Sequence, residues 1–213
     1  MSASVWDSRA QAYRESEAHR EGADLDLLVE WAEGAHTALD VASGGGHVAR
    51  RLREAGLEVV TADPARGMQA DVQAFAEDLP FPDRSFDVVA CRVAAHHFAD
   101  VAAGVREMSR VAADRVLVVD NLFMAEPAEV ADKLRDPSHA RNYTEAEWRA
   151  LFEDAGLVVE EVRRVDKTMR FDPWLERSDC TGAEAEQVRA LLADRIDGDR
   201  ITLHRIALKG ARR

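Results

Sequence analysis

Three groups of residues in this chain could do chemistry. The first is a glycine run, Ala42-Ser43-Gly44-Gly45-Gly46-His47, set between an apolar stretch and a helical pattern. The second is Asp63, about 20 residues further on. The third is the pair His96-His97. A strand, a glycine turn and a helix start form the entry to a nucleotide-type pocket. Glycine suits that turn because it is tight, and because a ligand there approaches the backbone more closely than a Cβ permits. A carboxylate at the tip of the next strand is placed to accept hydrogen bonds from both hydroxyls of a ribose. Glycines and aspartate at this spacing point to an adenosine-containing ligand. An imidazole titrates near neutrality, so His96 or His97 could take a proton from a bound acceptor.

The elements that must position these groups can be read in order. Residues 7–33 have helical spacing, broken near Gly22, with Asp24 near the start of the second piece. Tyr13 and His19 share a face, as a surface helix or as a flap over the glycine loop. Leu39 to Ala42 reads as the first strand, and the helix after the glycines stops at Gly56. Leu57 to Ala62 is the second strand. Only eight residues, Pro64 to Asp71, connect it to a weak third strand at Val72 to Ala76, whereas a full crossover helix needs about a dozen or more. Phe86 to Cys91 is the fourth strand, with the histidines just past its carboxyl end. Val101 to Val111 is a helix, and Arg115 to Asp120 the fifth strand. Leu122 to Asn142 has little periodicity and reads as an insertion able to cover the pocket. Thr144 to Glu147 is a capping box for a helix ending at Gly156. A sixth strand at Leu157 to Val165, helices over 172–178 and 183–194, and a last strand at Ile201 to Leu208, suited to an edge, complete the chain. Strands alternating with helices predict an α/β fold, a mostly parallel sheet with one antiparallel edge strand and helices on both faces.

The 213 residues are expected to form one domain. A net charge of −12 argues against a nucleic-acid partner, whose phosphates would be repelled. No run reaches membrane-spanning length. Cys91 and Cys180 have no metal or redox spacing, and the expectation is a cytoplasmic chain with reduced thiols. No metal site is expected: His96 and His97 are adjacent, so in strand-like geometry they would point apart, and no Cys/His or Asp/Glu cluster supports them.

The strings Leu39-Asp40-Val41-Ala42-Ser43-Gly44-Gly45-Gly46-His47, then Asp63, then Glu77-Asp78-Leu79-Pro80-Phe81-Pro82-Asp83-Arg84-Ser85-Phe86-Asp87, then Cys91-Arg92-Val93-Ala94-Ala95-His96-His97-Phe98 resemble class I S-adenosylmethionine (SAM) dependent methyltransferases. The likeness leans toward the small-molecule branch that includes ubiquinone and menaquinone biosynthesis enzymes. It extends to Asp136-Pro137-Ser138-His139. The resemblance implies the Rossmann-like sheet, SAM as cofactor and a small-molecule acceptor. It implies that Asp40, Ala42, Gly44 and Gly46 form the loop under the methionine part, that Asp63 holds the ribose, that Pro64, Phe75 and Ala76 lie near the adenine, and that Arg92 contributes backbone. Ala42 stands where the family has its first glycine. Phe75 stands where the family often has an aspartate for the adenine amino group. His139 and Arg141, with Tyr13 and His19, are candidates for gripping an acceptor.

Two other readings compete. A nicotinamide-dependent oxidoreductase fits the loose glycine pattern, but no tyrosine is followed four residues later by lysine. A methyltransferase-like fold without SAM binding, serving as a partner or assembly module, would suit Phe75 and the short connection after Asp63. A missing crossover helix would bare apolar surface that a homodimer could cover.

Overall fold

The computed structural model describes Trp6, Asp7, Ala10, Gln11 and residues 20–212. Helix α1 (Ala23–Trp31) follows Gly22, whose φ of 149° breaks the preceding segment from it. Then come β1 (Thr37–Val41), α2 (His47–Glu54), β2 (Glu58–Ala62), β3 (Phe86–Arg92), α3 (Val101–Val111) and β4 (Ala112–Asn121). The C-terminal part holds α4 (Glu126–Arg135), α5 (Glu145–Asp154), β5 (Leu157–Arg170), α6 (Phe171–Glu176), α7 (Gly182–Leu191), β6 (Ile196–Asp197) and β7 (Arg200–Arg212). Local signals set many of these bounds. Asp100 caps α3 by accepting from the Ala103 N–H. The Thr144–Glu147 capping box forms in full. None of the helices among the described residues is long and apolar enough to cross a membrane.

The strands form one sheet in the order β2-β1-β3-β4-β7-β5, with β6 paired to β7. Strands β1 to β4 are parallel, and β7 is antiparallel to both β4 and β5. The antiparallel pairing expected at one side of the sheet is therefore present. The last strand itself is not at the rim, however. Long β5 pairs with β7 along its length and takes the outer place. The order reverses between β1 and β3, and their carboxyl ends open a crevice there.

Both faces of the sheet are covered, so the inner strands read as unbroken apolar runs. On one face Leu25, Leu28, Val48 and Leu52 of α1 and α2 pack on Ala38, Val88, Leu117 and Val119. On the other, Val105, Met108, Trp148 and Phe152 of α3 and α5 pack on Leu39, Val89, Val118 and Leu208. A third cluster joins Ala128 and Ala131 of α4 to Phe171, Trp174, Val188 and Ile201, above the β4–β7–β5 end.

At the connection after β2 the helix is a single 3₁₀ turn, Arg66–Met68, as expected of eight residues, while one expectation changes. The third strand expected at Val72 to Ala76 reduces to a single bridge, Ala62 to Val72. Asp71 accepts from both the backbone N–H and the hydroxyl of Thr61, anchoring this stub beside β2. The apolar surface left by the missing helix is covered by the chain itself: Ala10, with Trp6 against it, packs on Ala65 and Met68, and Asp7 accepts from the Gly67 N–H. That removes the motive for a homodimer at this place.

The inward position of β7 has a testable consequence. A Cβ on Gly210 would lie 2.5 Å from a ring carbon of buried Phe152 and 3.3 Å from Leu157 Cβ. Gly210→Ala is expected to destabilise the protein by about 1–3 kcal/mol through overpacking, read as a lower urea midpoint at unchanged slope. An unchanged midpoint would mean that Phe152 does not seat against β7.

Candidate active site

The main cavity lies at the β1–β3 crevice and runs toward α4 and α6. Its floor is the glycine turn. Ala42 (φ 52°), Gly44 (φ 50°) and Gly46 (φ 72°) all adopt left-handed backbone, which bends the chain from β1 into α2 within a few residues. A Cβ at Gly44 or Gly46 would meet nothing within 4 Å, so the loop is not filled by the chain's own atoms. Gly44 lines the cavity, whereas Gly46 serves as the N-cap residue of α2. Asp40 is buried and accepts from the Ala49 N–H at 3.0 Å, tying β1 to α2.

Asp63 lies directly against this loop. One carboxylate oxygen accepts from the Gly44 N–H and the other from the Ala65 N–H, each at 2.9 Å. No sugar ring fits between Asp63 and Gly44. Each oxygen keeps one further lone-pair direction, so two hydroxyls could still be accepted from the cavity side. Pro64, Phe75, Ala76 and Arg92 also line the cavity. Phe75 is 51% exposed, an apolar ring at the rim that a flat ligand would cover. The open glycine floor, the two spare acceptor positions of Asp63 and this ring together fit SAM. Asp63 titrates above the usual carboxylate range, chiefly because burial disfavours its charge.

The histidines do not point apart. They lie in a 3₁₀ turn, Ala95–His97, with ring centroids 4.1 Å apart, because the chain has left the strand by then. His96 is buried, and its Nδ1 is 2.5 Å from Asp120 Oδ1 at the end of β4. Asp120 also accepts from the His96 backbone N–H. Nδ1 therefore carries the proton, leaving Nε2 as the bare nitrogen of the neutral ring. Burial alone would lower the His96 pKa, but the charge and hydrogen bond of Asp120 outweigh it and raise it. His97 is the opposite case. Burial first, and the neighbouring His96 second, hold it well below the ordinary histidine value. Its Nδ1 donates to the Ser138 carbonyl, and Ser138 Oγ donates to Asp136.

The other expected acceptor contacts are not at the cavity. His139 stands behind the pair, its Nε2 3.0 Å from Glu129. Arg141 is exposed, paired with Glu147 and stacked on Tyr143. Tyr13 and His19 lie outside the described residues. An acidic cluster does form among the described residues, but around a third histidine rather than around His96 and His97. Glu129, Asp132 and His139 bring one ligand atom each within 4.8 Å of one another, a juxtaposition made by α4 folding over the turn that follows it. Sequence reasoning missed Asp120 as the partner of His96, and it missed Arg135 and Arg205, which line the cavity. Asp120, at the carboxyl end of β4 in the crevice-bearing half of the sheet, was the one findable from its position.

The sequence matches the Methyltransferase domain family over residues 39–119. It is 32% identical over 207 residues to an uncharacterized methyltransferase, YcgJ, of Bacillus subtilis, spanning 86% of this chain and 82% of that one. The likeness to a demethylmenaquinone methyltransferase of Corynebacterium urealyticum is 38% over 81 residues, about a third of each chain (34% and 35%). The fold superposes on the crystal structure of the B. subtilis YcgJ protein with a TM-score of 0.78 at 28% identity, covering 89% of this chain and 98% of that one. For a putative methyltransferase of Bacillus halodurans the TM-score is 0.79 at 29% identity, covering 89% and 99%.

Asp40 makes the site pH-sensitive. Burial, against the Ala49 hydrogen bond, pushes its pKa up to about 7. A carboxyl that binds its proton more tightly when folded stabilises the fold fully at low pH and loses that contribution as pH rises from about 4 to about 7. Asp40→Asn is expected to raise the melting temperature of the ligand-free protein by about 3 °C or more at pH 8 and to leave it nearly unchanged at pH 4. Equal shifts at both pH values in differential scanning calorimetry would refute the assignment.

Proposed function

The chain belongs to the class I SAM-dependent methyltransferases, and on that footing we propose that it methylates a small organic acceptor held in the cavity that runs from the glycine loop toward α4 and α6. The bound cofactor supplies an electrophilic methyl group on a sulfonium. The chain's residues do the rest. The main chain of Ala42 and Gly44 supports the methionine part, Asp63 accepts the ribose hydroxyls, and Pro64, Phe75 and Ala76 flank the adenine. Asp40, once ionised, offers negative charge to a cationic ligand. Holding nucleophile and methyl carbon in line supplies much of the barrier reduction by itself.

An acceptor that must lose a proton needs a base, and His96 suits the role better than His97. Asp120 fixes its tautomer and stabilises the imidazolium that forms, so Nε2 is a strong base once neutral. His97 is too weak a base to compete and is read as a neutral neighbour that orders the turn with Ser138. The observation that carries the proposal is the Asp63–Gly44 contact at a cavity that also contains His96. The net charge of −12 favours a small acceptor over a nucleic acid.

Calorimetric titration with S-adenosylhomocysteine (SAH) is the first test. Binding is expected, and Asp63→Ala should weaken it about 10- to 100-fold through two lost hydrogen bonds. Absence of heat at millimolar SAH would overturn the proposal. Transfer of a labelled methyl group to a low-mass product of a cell extract then reports the acceptor.

For any acceptor that releases a proton, His96→Gln should lower kcat about 100-fold or more while SAH affinity stays within about threefold. The wild-type rate should rise with pH through the raised His96 pKa. Asp120→Asn should move that inflection to lower pH. An inflection that stays put would remove His96 from the reaction.

A further inference from the structure

Most of the acids and arginines lining the cavity are sorted by place, with Arg92 at the end of β3 between the two sets. Asp40, Asp63 and Glu77 stand at the β1–β2 half and its adjoining loop. Arg135, Arg177 and Arg205 come from α4, the end of α6 and β7, in the half of the fold beyond β4. The rest of that wall is apolar, formed by Met169, Trp174 and Leu203. We propose that this half binds an oxyanion, a carboxylate or a phosphate, carried on an otherwise apolar acceptor. The inference rests on the methyl-transfer reading and names the class of molecule that receives the methyl group.

Two arginines carry it. Arg205 is 2% exposed, and its Nε has no hydrogen-bond partner. Its Nη1 shares one oxygen of Asp24 with Arg92. Lys167 feels both arginines, and Asp24 and Glu21 as well. Burial presses on the Arg205 charge, and Asp24 and Asp120 are the acids that counter it. A buried guanidinium with a donor left unpaired gains from an anion that meets it.

Arg135 is prepared differently. Its guanidinium lies 4.3 Å from the centre of the Trp174 ring, and Nη1 donates to the Trp174 carbonyl and to Ser178 Oγ. No carboxylate lies within ion-pair distance of it among the described residues, although Asp136 feels its charge, and its Nε is buried without a partner. A stacked, planar guanidinium with donors left over is a preformed fork for an oxyanion. The indole beneath it and the Met169 and Leu203 side chains suit an apolar body. Arg135 is also close enough to act on the charge of His96, so an acceptor gripped there lies near the proposed base.

The test uses two size-matched series: octanoate, octyl phosphate and octanamide, and 2-naphthoate, 2-naphthyl phosphate and 2-naphthamide. Each is titrated calorimetrically into the protein saturated with SAH. In at least one series an oxyanion should bind tenfold or more tightly than its amide. Arg135→Gln should remove that preference while SAH affinity stays within twofold, and Arg135→Lys should restore part of it. Equal binding of acid and amide in both series, or no binding by any of the six, overturns the proposal. So does a loss of SAH affinity in Arg135→Gln with the acid preference intact, because the guanidinium would then serve the carboxylate of the cofactor. Failure of SAH itself to bind wild type would instead strike the methyl-transfer reading. The six probes titrated into ligand-free protein would then decide the oxyanion site by the same tenfold criterion.

Discussion

One oxygen atom organises much of this molecule. Asp24 Oδ2 accepts from Arg92 and from Arg205, each at 2.7 Å, with all three side chains almost wholly buried. The contact joins the first turn of α1, the end of β3 and the middle of β7, which are far apart in sequence. Burial opposes the carboxylate charge, yet the two guanidinium groups hold its pKa down at about 2. Removing one partner from such a buried group leaves a charge uncompensated, at a cost of about 3–5 kcal/mol. The triad therefore fixes α1 over the crevice, and it fixes two arginines in the cavity wall.

The placement of charges gives the cavity a direction. Carboxylates gather under the glycine loop, where burial pushes Asp40 and Asp63 up and so makes a cationic ligand welcome. Three of the four cavity arginines, Arg135, Arg177 and Arg205, lie beyond β4, while Arg92 ends β3. The His96–Asp120 pair stands between the two, at the end of the strand that divides them. On the reading proposed above, a donor that carries positive charge and an acceptor that carries negative charge would meet at a base, and each half would discourage the wrong occupant through like-charge repulsion.

The sheet and most helices were legible in the sequence because their signals are local. Apolar runs, Gly22, Gly56 and the Thr144–Glu147 box each act within a few residues. The glycine turn and Asp63 were legible because their spacing follows from one strand-turn-helix-strand unit. What failed was long-range. The place of β7 depends on β5 pairing outside it, which an alternating pattern in one strand cannot reveal. Helix α4 hid in a segment with two prolines, one of which, Pro127, sits in the first turn where proline is tolerated. His139 and Arg141 looked like acceptor contacts because their types are right, but the turn carrying them faces Glu129 and Glu147 instead. Arg205 and Arg135 gave no sequence signal at all. Their role comes from three distant elements meeting at one cavity.

The strain in the backbone follows the same logic. Ala42 and Val93 both have a φ of 52°, a region that costs residues with a Cβ about 1–2 kcal/mol, and a β-branched valine is the less tolerant of the two. They follow directly on β1 and just past β3, the two strands that flank the crevice, where Val41 pairs with Cys91. Neither is free to relax. The Ser43 N–H is held by the Ala62 carbonyl, and the Val93 N–H by the Val119 carbonyl at 2.7 Å. The flanking strands β2 and β4 thus hold both turns open. Without that bracing the chain past β1 and β3 would continue the sheet and close the crevice. The strained turns are therefore part of what makes a cavity here, and the two-sided core beneath them is what sustains it.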